Sequence, residues 1–307
     1  MFDGKRFTPD TDIQDLSGKV VLITGGNNGL GKQSALQLAK HNPTAIYITS
    51  RSLEKGRVAI AEIEAAVPGV KLHLLQLDLA SLESVQNAAK EFSASSPHLD
   101  ILINNAGIMA VPTDVTEDGY EIQFGTNHLG HALLSKLLLP MLLETAETPG
   151  ADVRIVTLTS LSHSWTPKGG IKFETLRTPQ LEESNVAKYG QSKLANILHS
   201  QELARRYPSI TCVSVHPGMV ETGLSKPMRR KHLWVRMFEA TIGSLIGVSV
   251  EQGVLNQLWA ATSKDVVSGG YYVPVGNKAD GSTDARNEQL ARRLWDWTSK
   301  ELEGYIL

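Results

Sequence analysis

The stretch Val20-Val21-Leu22-Ile23-Thr24-Gly25-Gly26-Asn27-Asn28-Gly29-Leu30-Gly31 decides how the rest of the chain is read. A short β-branched run ends in glycines, and an apolar-periodic segment, Leu30–His41, follows. Glycine allows the tight turn and lets backbone come close to a pyrophosphate. A helix starting near Leu30 would offer unpaired N–H groups and the positive end of its dipole to the same phosphates. A glycine trio by itself is weak. A strand before it and a helix after it make it a dinucleotide-binding turn, with Gly25, Asn27, Asn28, Gly29, Leu30 and Gly31 as its contacts.

Working outward, the same alternation continues. Strands are expected at Val20–Thr24, Ala45–Thr49, Leu72–Leu77, Leu99–Ile103, Arg154–Leu158, Ile210–Val215 and, more faintly, Tyr271–Val273. Between them fall helical patterns at Leu53–Ala66, Leu82–Phe92, Ile122–Leu143 and Val186–Tyr207. Apolar strands alternating with helices predict a parallel sheet covered on both faces. The expected architecture is α/β: one doubly wound Rossmann domain over 18–307, with about seven strands. Residues 1–17 read as a lead-in and 222–250 as a substrate lid.

The 307 residues are 41% apolar, enough for one large core, and the net charge of −2 gives no basic field for nucleic acid. A lone cysteine, Cys212, forbids an internal disulfide, and its apolar surroundings make it an inert strand residue. The acidic, polar N-terminus does not resemble a secretory signal. No run of 18 consecutive apolar residues suggests a bilayer span, so the cytosol is the expected compartment. No His/Cys cluster has metal-ligand spacing, and no Gly-x-Ser-x-Gly elbow points to a serine hydrolase.

Cofactor choice can be read at the end of the second strand, Ile48-Thr49-Ser50-Arg51-Ser52. A carboxylate there would bind a ribose 2′-hydroxyl, whereas an arginine suits a 2′-phosphate. Arg51, with Lys32 and Lys55 as helpers, predicts NADP(H). The reacting groups come later. Tyr189 and Lys193 are four apart and share a helix face. An ammonium nearby is expected to lower the phenol's pKa and ready it for proton exchange as hydride moves. Ser160, with Ser162 as the fallback in the cluster Thr159, Ser160, Ser162 and Ser164, could hold the same oxygen.

In order along nearly the whole chain run Thr24–Gly31, Asp78-Leu79, Asn104–Gly107, Asn127, Ser160, Tyr189, Lys193 and Pro217-Gly218. On these residues the chain resembles a short-chain dehydrogenase/reductase of the single-domain type. Its opening Asp15-Leu16-Ser17-Gly18-Lys19 and Arg51 are similar to the retinol-dehydrogenase and WW-domain-oxidoreductase-like branch, including its fungal members that work on specialised metabolites. The resemblance implies Tyr189 as acid/base, Lys193 on the nicotinamide ribose, Ser160 on the carbonyl oxygen and Asn127 holding a relay water. It implies Asp78 and Leu79 near the adenine, and Asn105, Ala106 and Gly107 along the adenosine. It brings Pro217, Gly218, Val220 and Thr222 to the nicotinamide amide. It also implies dimers or tetramers through the two long helices.

Two segments return to the carboxyl ends of the strands. Leu161–Asn185 carries Trp165 and Phe173; Gly223–Val250 carries Leu224, Met228, Leu233, Trp234, Met237, Phe238, Ile242 and Leu245. Such an apolar lid suits a lipophilic carbonyl or alcohol as partner. The basic run Lys226–Lys231 reads as a solvated face, with an acidic substrate or anionic lipid as alternatives. The expected function is NADP(H)-dependent interconversion of a ketone or aldehyde with an alcohol, in the reductive direction. A catalytically silent cofactor sensor or scaffold is the rival, and an extended-type nucleotide-sugar epimerase stands behind it. The intact Tyr/Lys pair favours the enzyme.

Overall fold

The computed structural model describes residues 5–220 and 248–307. Its centre is an eight-stranded sheet in the order β3-β2-β1-β4-β5-β6-β7-β8. The strands are β1 (Val20–Ile23), β2 (Ala45–Ser50), β3 (Leu72–Gln76), β4 (Ile101–Asn104), β5 (Arg154–Leu158), β6 (Thr211–Val215), β7 (Tyr271–Val273) and β8 (Asn277–Ala279). β1 to β7 are parallel, and β8 folds back antiparallel, Tyr271 opposite Ala279. The sequence pattern signals seven strands; β8 is polar (Asn277-Lys278-Ala279) and too short to show a period.

After β1 the chain builds outward to β2 and β3, then returns so that β4 lies on the other side of β1, Leu22 beside Leu102. That reversal opens a crevice at the carboxyl ends of β1 and β4, the place where such sheets take ligands. Every residue of β1, β2, β4 and β5 is buried, as expected of strands covered on two faces.

The helices are α1 (Pro9–Asp12), α2 (Gly29–Ala39), α3 (Leu53–Ala66), α4 (Leu82–Ser95), α5 (Ile122–Ala146), α6 (Asn185–Arg206), α7 (Val250–Gly253), α8 (Leu255–Thr262) and α9 (Glu288–Glu301). Serines cap four of them: Ser52, Ser81, Ser184 and Ser249 accept from the N–H of Lys55, Ser84, Ala187 and Gln252. One sheet face packs Leu22, Leu102 and Ile155 against Val85, Phe92, Leu133 and Leu137 of α4 and α5. The other packs Ile23, Ile48 and Val213 against Leu38, Ile63 and Leu258 of α2, α3 and α8. The lead-in seats Ile13 and Leu16 in this second core.

α5 is the one helix among the described residues long and apolar enough to cross a membrane. In the fold Leu133, Leu134, Leu137, Leu138 and Leu142 are instead buried in the core of the domain. α9 adds a third cluster. Its Leu290, Ala291 and Leu294 pack with Leu194, Ile197 and Leu198 of α6, and Trp297 meets Phe124 edge-on at 5.8 Å. The apolar side of α6, one of the two helices through which the resemblance implies assembly, is thus covered by the chain's own α9.

Candidate active site

The glycine turn bridges β1 and α2. Gly25 and Gly29 take left-handed φ values of +67° and +50°. Gly31 has no room for a side chain: a Cβ there would lie 2.4 Å from the Gly25 carbonyl oxygen and 2.6 Å from Asn105 Nδ2. Asn28 caps α2 without a side-chain hydrogen bond, so the first N–H groups of the helix remain for a ligand. A bare backbone cradle against an open helix start fits a dinucleotide's phosphates.

The neighbouring turn after β4 is tied to this one. Asn105 N–H and Ala106 N–H donate to Thr24 Oγ1 (2.9 and 3.0 Å), and Asn105 Nδ2 donates to the Thr24 carbonyl at 2.7 Å. Gly107 lies against the next shell of the site: a Cβ on it would be 3.2 Å from Asn127 Oδ1 and 3.5 Å from Lys193 Nζ. Asn127 lies in a π-helical turn of α5, Gly125–Leu129. Its Oδ1 accepts from Ile108 N–H at 2.8 Å, and its Nδ2 donates to the Ile108 carbonyl and to Ser192 Oγ (2.9 and 3.0 Å).

Ser160 follows β5 and Tyr189 and Lys193 stand on α6, as the sequence predicts. Tyr189 and Lys193 are both buried. Lys193 Nζ donates to the Leu158 carbonyl at 3.2 Å and sits 5.6 Å from the centre of the Tyr189 ring. Ser160 Oγ and Ser162 Oγ are 3.2 Å apart, and Ser160 Oγ also accepts from Ser162 N–H. Thr159 is turned away, its hydroxyl donating to the Lys193 carbonyl at 2.7 Å.

The electrostatics differ from the sequence expectation. Burial pushes the Tyr189 phenol up to about 12, with the neighbouring Ser160 hydroxyl pulling against it. Burial pushes Lys193 down to about 8. Burial disfavours the charged form of both groups, phenolate and ammonium alike. At neutral pH the phenol keeps its proton.

The other residues expected at the nucleotide lie at strand ends or in the first turns of the helices that follow them. Arg51 is exposed just before the Ser52 cap, and no carboxylate pairs with it among the described residues. Lys32, expected as its helper, is instead ion-paired with Glu62, and Lys55 is exposed in the first turn of α3. Asp78 Oδ1 accepts from Ala80 N–H at 3.0 Å in the turn after β3, and Leu79 is buried beneath Gly130. After β6, Pro217 leads into Gly218 at φ +94°, and Val220 bridges to Val248. Val220 and Leu30 close over Gly253, where a Cβ would meet Val220 Cγ2 at 2.3 Å. Thr222, the apolar residues from Leu224 to Leu245 and the basic run 226–231 lie outside the described residues, as does most of the lid at 222–250.

Of the two aromatics in 161–185, only Trp165 is exposed, at 60%. Phe173 is core: it packs in the third cluster with Arg293 over its ring at 4.3 Å. Several site-building residues carry no motif signal. His163 fixes the Ser160 turn, its Nδ1–H donating to the Ser160 carbonyl at 2.7 Å while Nε2 accepts from Ser282 N–H at 3.1 Å. Gly190 lets α6 approach that turn: a Cβ would lie 2.5 Å from the Ser162 carbonyl oxygen. His131 joins Thr24 to Asn127. Each of the three has a partner far along the chain (Ser282, the 162–165 turn and Thr24), which is why local spacing does not reveal them.

A Rossmann crevice with a glycine cradle on one side and a tyrosine, lysine and serine on the other defines a class, and relatives agree with it. The short chain dehydrogenase family profile matches residues 19–169. The chain is 40% identical to "Short-chain dehydrogenase/reductase drtF" of Aspergillus calidoustus over 308 residues, covering 94% of this chain and 95% of the relative. It is 38% identical to "Retinol dehydrogenase 11" of Homo sapiens over 290 residues, covering 93% and 86%. Its fold matches the crystal structure of an uncharacterized protein from Mycobacterium paratuberculosis with a TM-score of 0.75, 30% identity and 97% of each chain covered. The chain belongs to the short-chain dehydrogenase/reductase family and lies in its retinol-dehydrogenase-like branch.

Proposed function

We propose that this oxidoreductase uses NADP(H) to reduce a ketone or aldehyde on a lipophilic small molecule to the alcohol, in the cytosol. The observation that carries the reading is the meeting of Ser160, Tyr189 and Lys193 beside the glycine cradle, with the phenol buried and protonated. NADPH supplies the hydride. In our reading Tyr189 then gives its proton to the carbonyl oxygen, and Ser160 Oγ donates a hydrogen bond that steadies the growing negative charge. Lys193 orients the nicotinamide ribose and favours the phenolate left behind. Asn127 holds a water on the route by which that proton is restored.

NADPH as the cofactor supports the reductive direction, and a phenol that burial holds above its ordinary value can arrive with the proton that reduction needs. Arg51, exposed and without a carboxylate partner among the described residues, supports NADP(H) over NAD(H). Exposed Leu161, Trp165, Val186 and Met219 each lie within five residues of a site residue in the sequence and support an apolar mouth. Specialised metabolites, polyketides and retinoid-like compounds are the substrate class in view.

The test is purified protein with NADPH and a panel of ketones, quinones and retinaldehydes, following absorbance. Tyr189→Phe should lower kcat by about 10²–10⁴-fold while NADPH still binds. Turnover that survives the substitution would remove the acid/base assignment. NADPH binding with no turnover of any carbonyl by the wild type would favour the silent-sensor alternative.

A further inference from the structure

His131 is buried among three segments of the site, and neither hydride transfer nor nucleotide contact accounts for it. Both ring nitrogens have partners: Nε2 lies 2.8 Å from Thr24 Oγ1, and Nδ1 lies 3.0 Å from the Asn127 carbonyl oxygen. Their directions follow from the neighbours. Thr24 Oγ1 already accepts from two amides, Asn105 N–H and Ala106 N–H, and its own proton goes to Nε2 at 2.8 Å rather than to the Ile103 carbonyl, which lies 3.5 Å away. A carbonyl only accepts, so Nδ1 carries the ring proton.

The line continues on both sides. Thr24 is the residue before Gly25, and its carbonyl takes the Asn105 side chain. Asn127 Nδ2 donates to Ser192 Oγ at 3.0 Å, and Ser192 in turn donates to the Tyr189 carbonyl at 2.8 Å. One buried hydrogen-bonded path therefore runs from the residue before the glycine turn to the residue that bears the phenol.

We propose that His131 is a positioning residue with two separable halves: Nε2 orders Thr24 and the 105–106 amides for the nucleotide, and Nδ1 orders Asn127 and the acid/base helix for the chemistry. This rests on the oxidoreductase reading above. Asparagine and glutamine each preserve one half, because the amide nitrogen of Asn falls near Nδ1 and the amide oxygen of Gln falls near Nε2.

His131→Asn should keep kcat within about threefold and weaken NADPH binding about tenfold; His131→Gln should do the reverse. His131→Phe should lose both. Binding is read from NADPH fluorescence, which needs no turnover, kcat from NADPH consumption, and folding from circular dichroism. Folded Asn and Gln variants that match each other in both readouts would reduce His131 to a space filler and overturn the proposal. So would the opposite crossing. If the Phe variant does not fold, the Asn–Gln comparison still decides. If the wild type binds NADPH but turns over no carbonyl, the oxidoreductase reading fails instead, and the Asn–Gln difference in NADPH affinity alone decides the role of His131.

Discussion

In the proposed function one guanidinium bears the choice between the two nicotinamide cofactors. Arg51 stands at the end of β2, where related dinucleotide sites use a carboxylate for the ribose hydroxyls. With Lys32 committed to Glu62, Arg51 is left with Lys55 as the nearby cation in the first turn of α3. A two-pronged charge-assisted contact to a phosphate contributes about 1.5–3 kcal/mol. Arg51→Asp should therefore raise the NADPH Kd about 10–100-fold and leave the NADH Kd within a few-fold, as titration by fluorescence would measure. An unchanged ratio of the two affinities would remove Arg51 from the cofactor site. The pair Tyr189 and Lys193 teaches the complementary lesson. Sequence places Tyr189 and Lys193 on one helix face but carries no information on desolvation, and burial reverses the expected sign of the phenol's shift.

Among the elements, α6 is held where it is by a missing side chain. A Cβ on Gly190 would lie 2.5 Å from the Ser162 carbonyl oxygen and 2.7 Å from that of Trp165, both backbone atoms that cannot swing aside. Gly190→Ala should cost about 1–3 kcal/mol of stability and lower kcat more than it raises the KM for NADPH, because it pushes Tyr189 away from Ser160. Denaturant unfolding and steady-state kinetics would check this, and a variant with normal kcat would show that α6 tolerates the shift. The helix itself is legible in the sequence, as are its Tyr189 and Lys193 and the buried strands, since each announces itself within a few neighbouring residues. The need for glycine at 190 is not legible, because the atoms it avoids belong to the 161–165 turn. Likewise β8 is three polar residues with no periodicity. α9, capped by Asn287 and burying Leu290 and Leu294, has a helical pattern but no place in a strand–helix alternation. Phe173 was expected near the substrate because its segment returns to the crevice; its partner, α9, is what draws it into the core.

For the whole molecule, a pH-dependent contribution to stability comes from histidines kept neutral inside. Burial pushes His131, His199 and His216 down to about 4 each, and holds His128 well below its ordinary value. Their ordinary value in an unfolded chain is about 6.5, so the unfolded state binds protons first. Their contribution to stability is full above about pH 6.5 and is lost as pH falls toward 4, at about 1.4 kcal/mol per pH unit for each group. Urea unfolding at pH 7 and pH 5 should show a clear drop in midpoint; equal midpoints would mean these rings find protons or partners without unfolding. The other molecule-wide feature is α9 lying over α6. The ribosome makes α6 well before α9, and at ~5–20 residues per second the interval is roughly 4–16 s. Through that interval the nascent helix bearing the phenol has one greasy flank uncovered, an invitation to chaperones and to premature self-association. Synthesis rate and chaperone supply, rather than the finished domain's contacts, are therefore where yield of active protein should be won or lost.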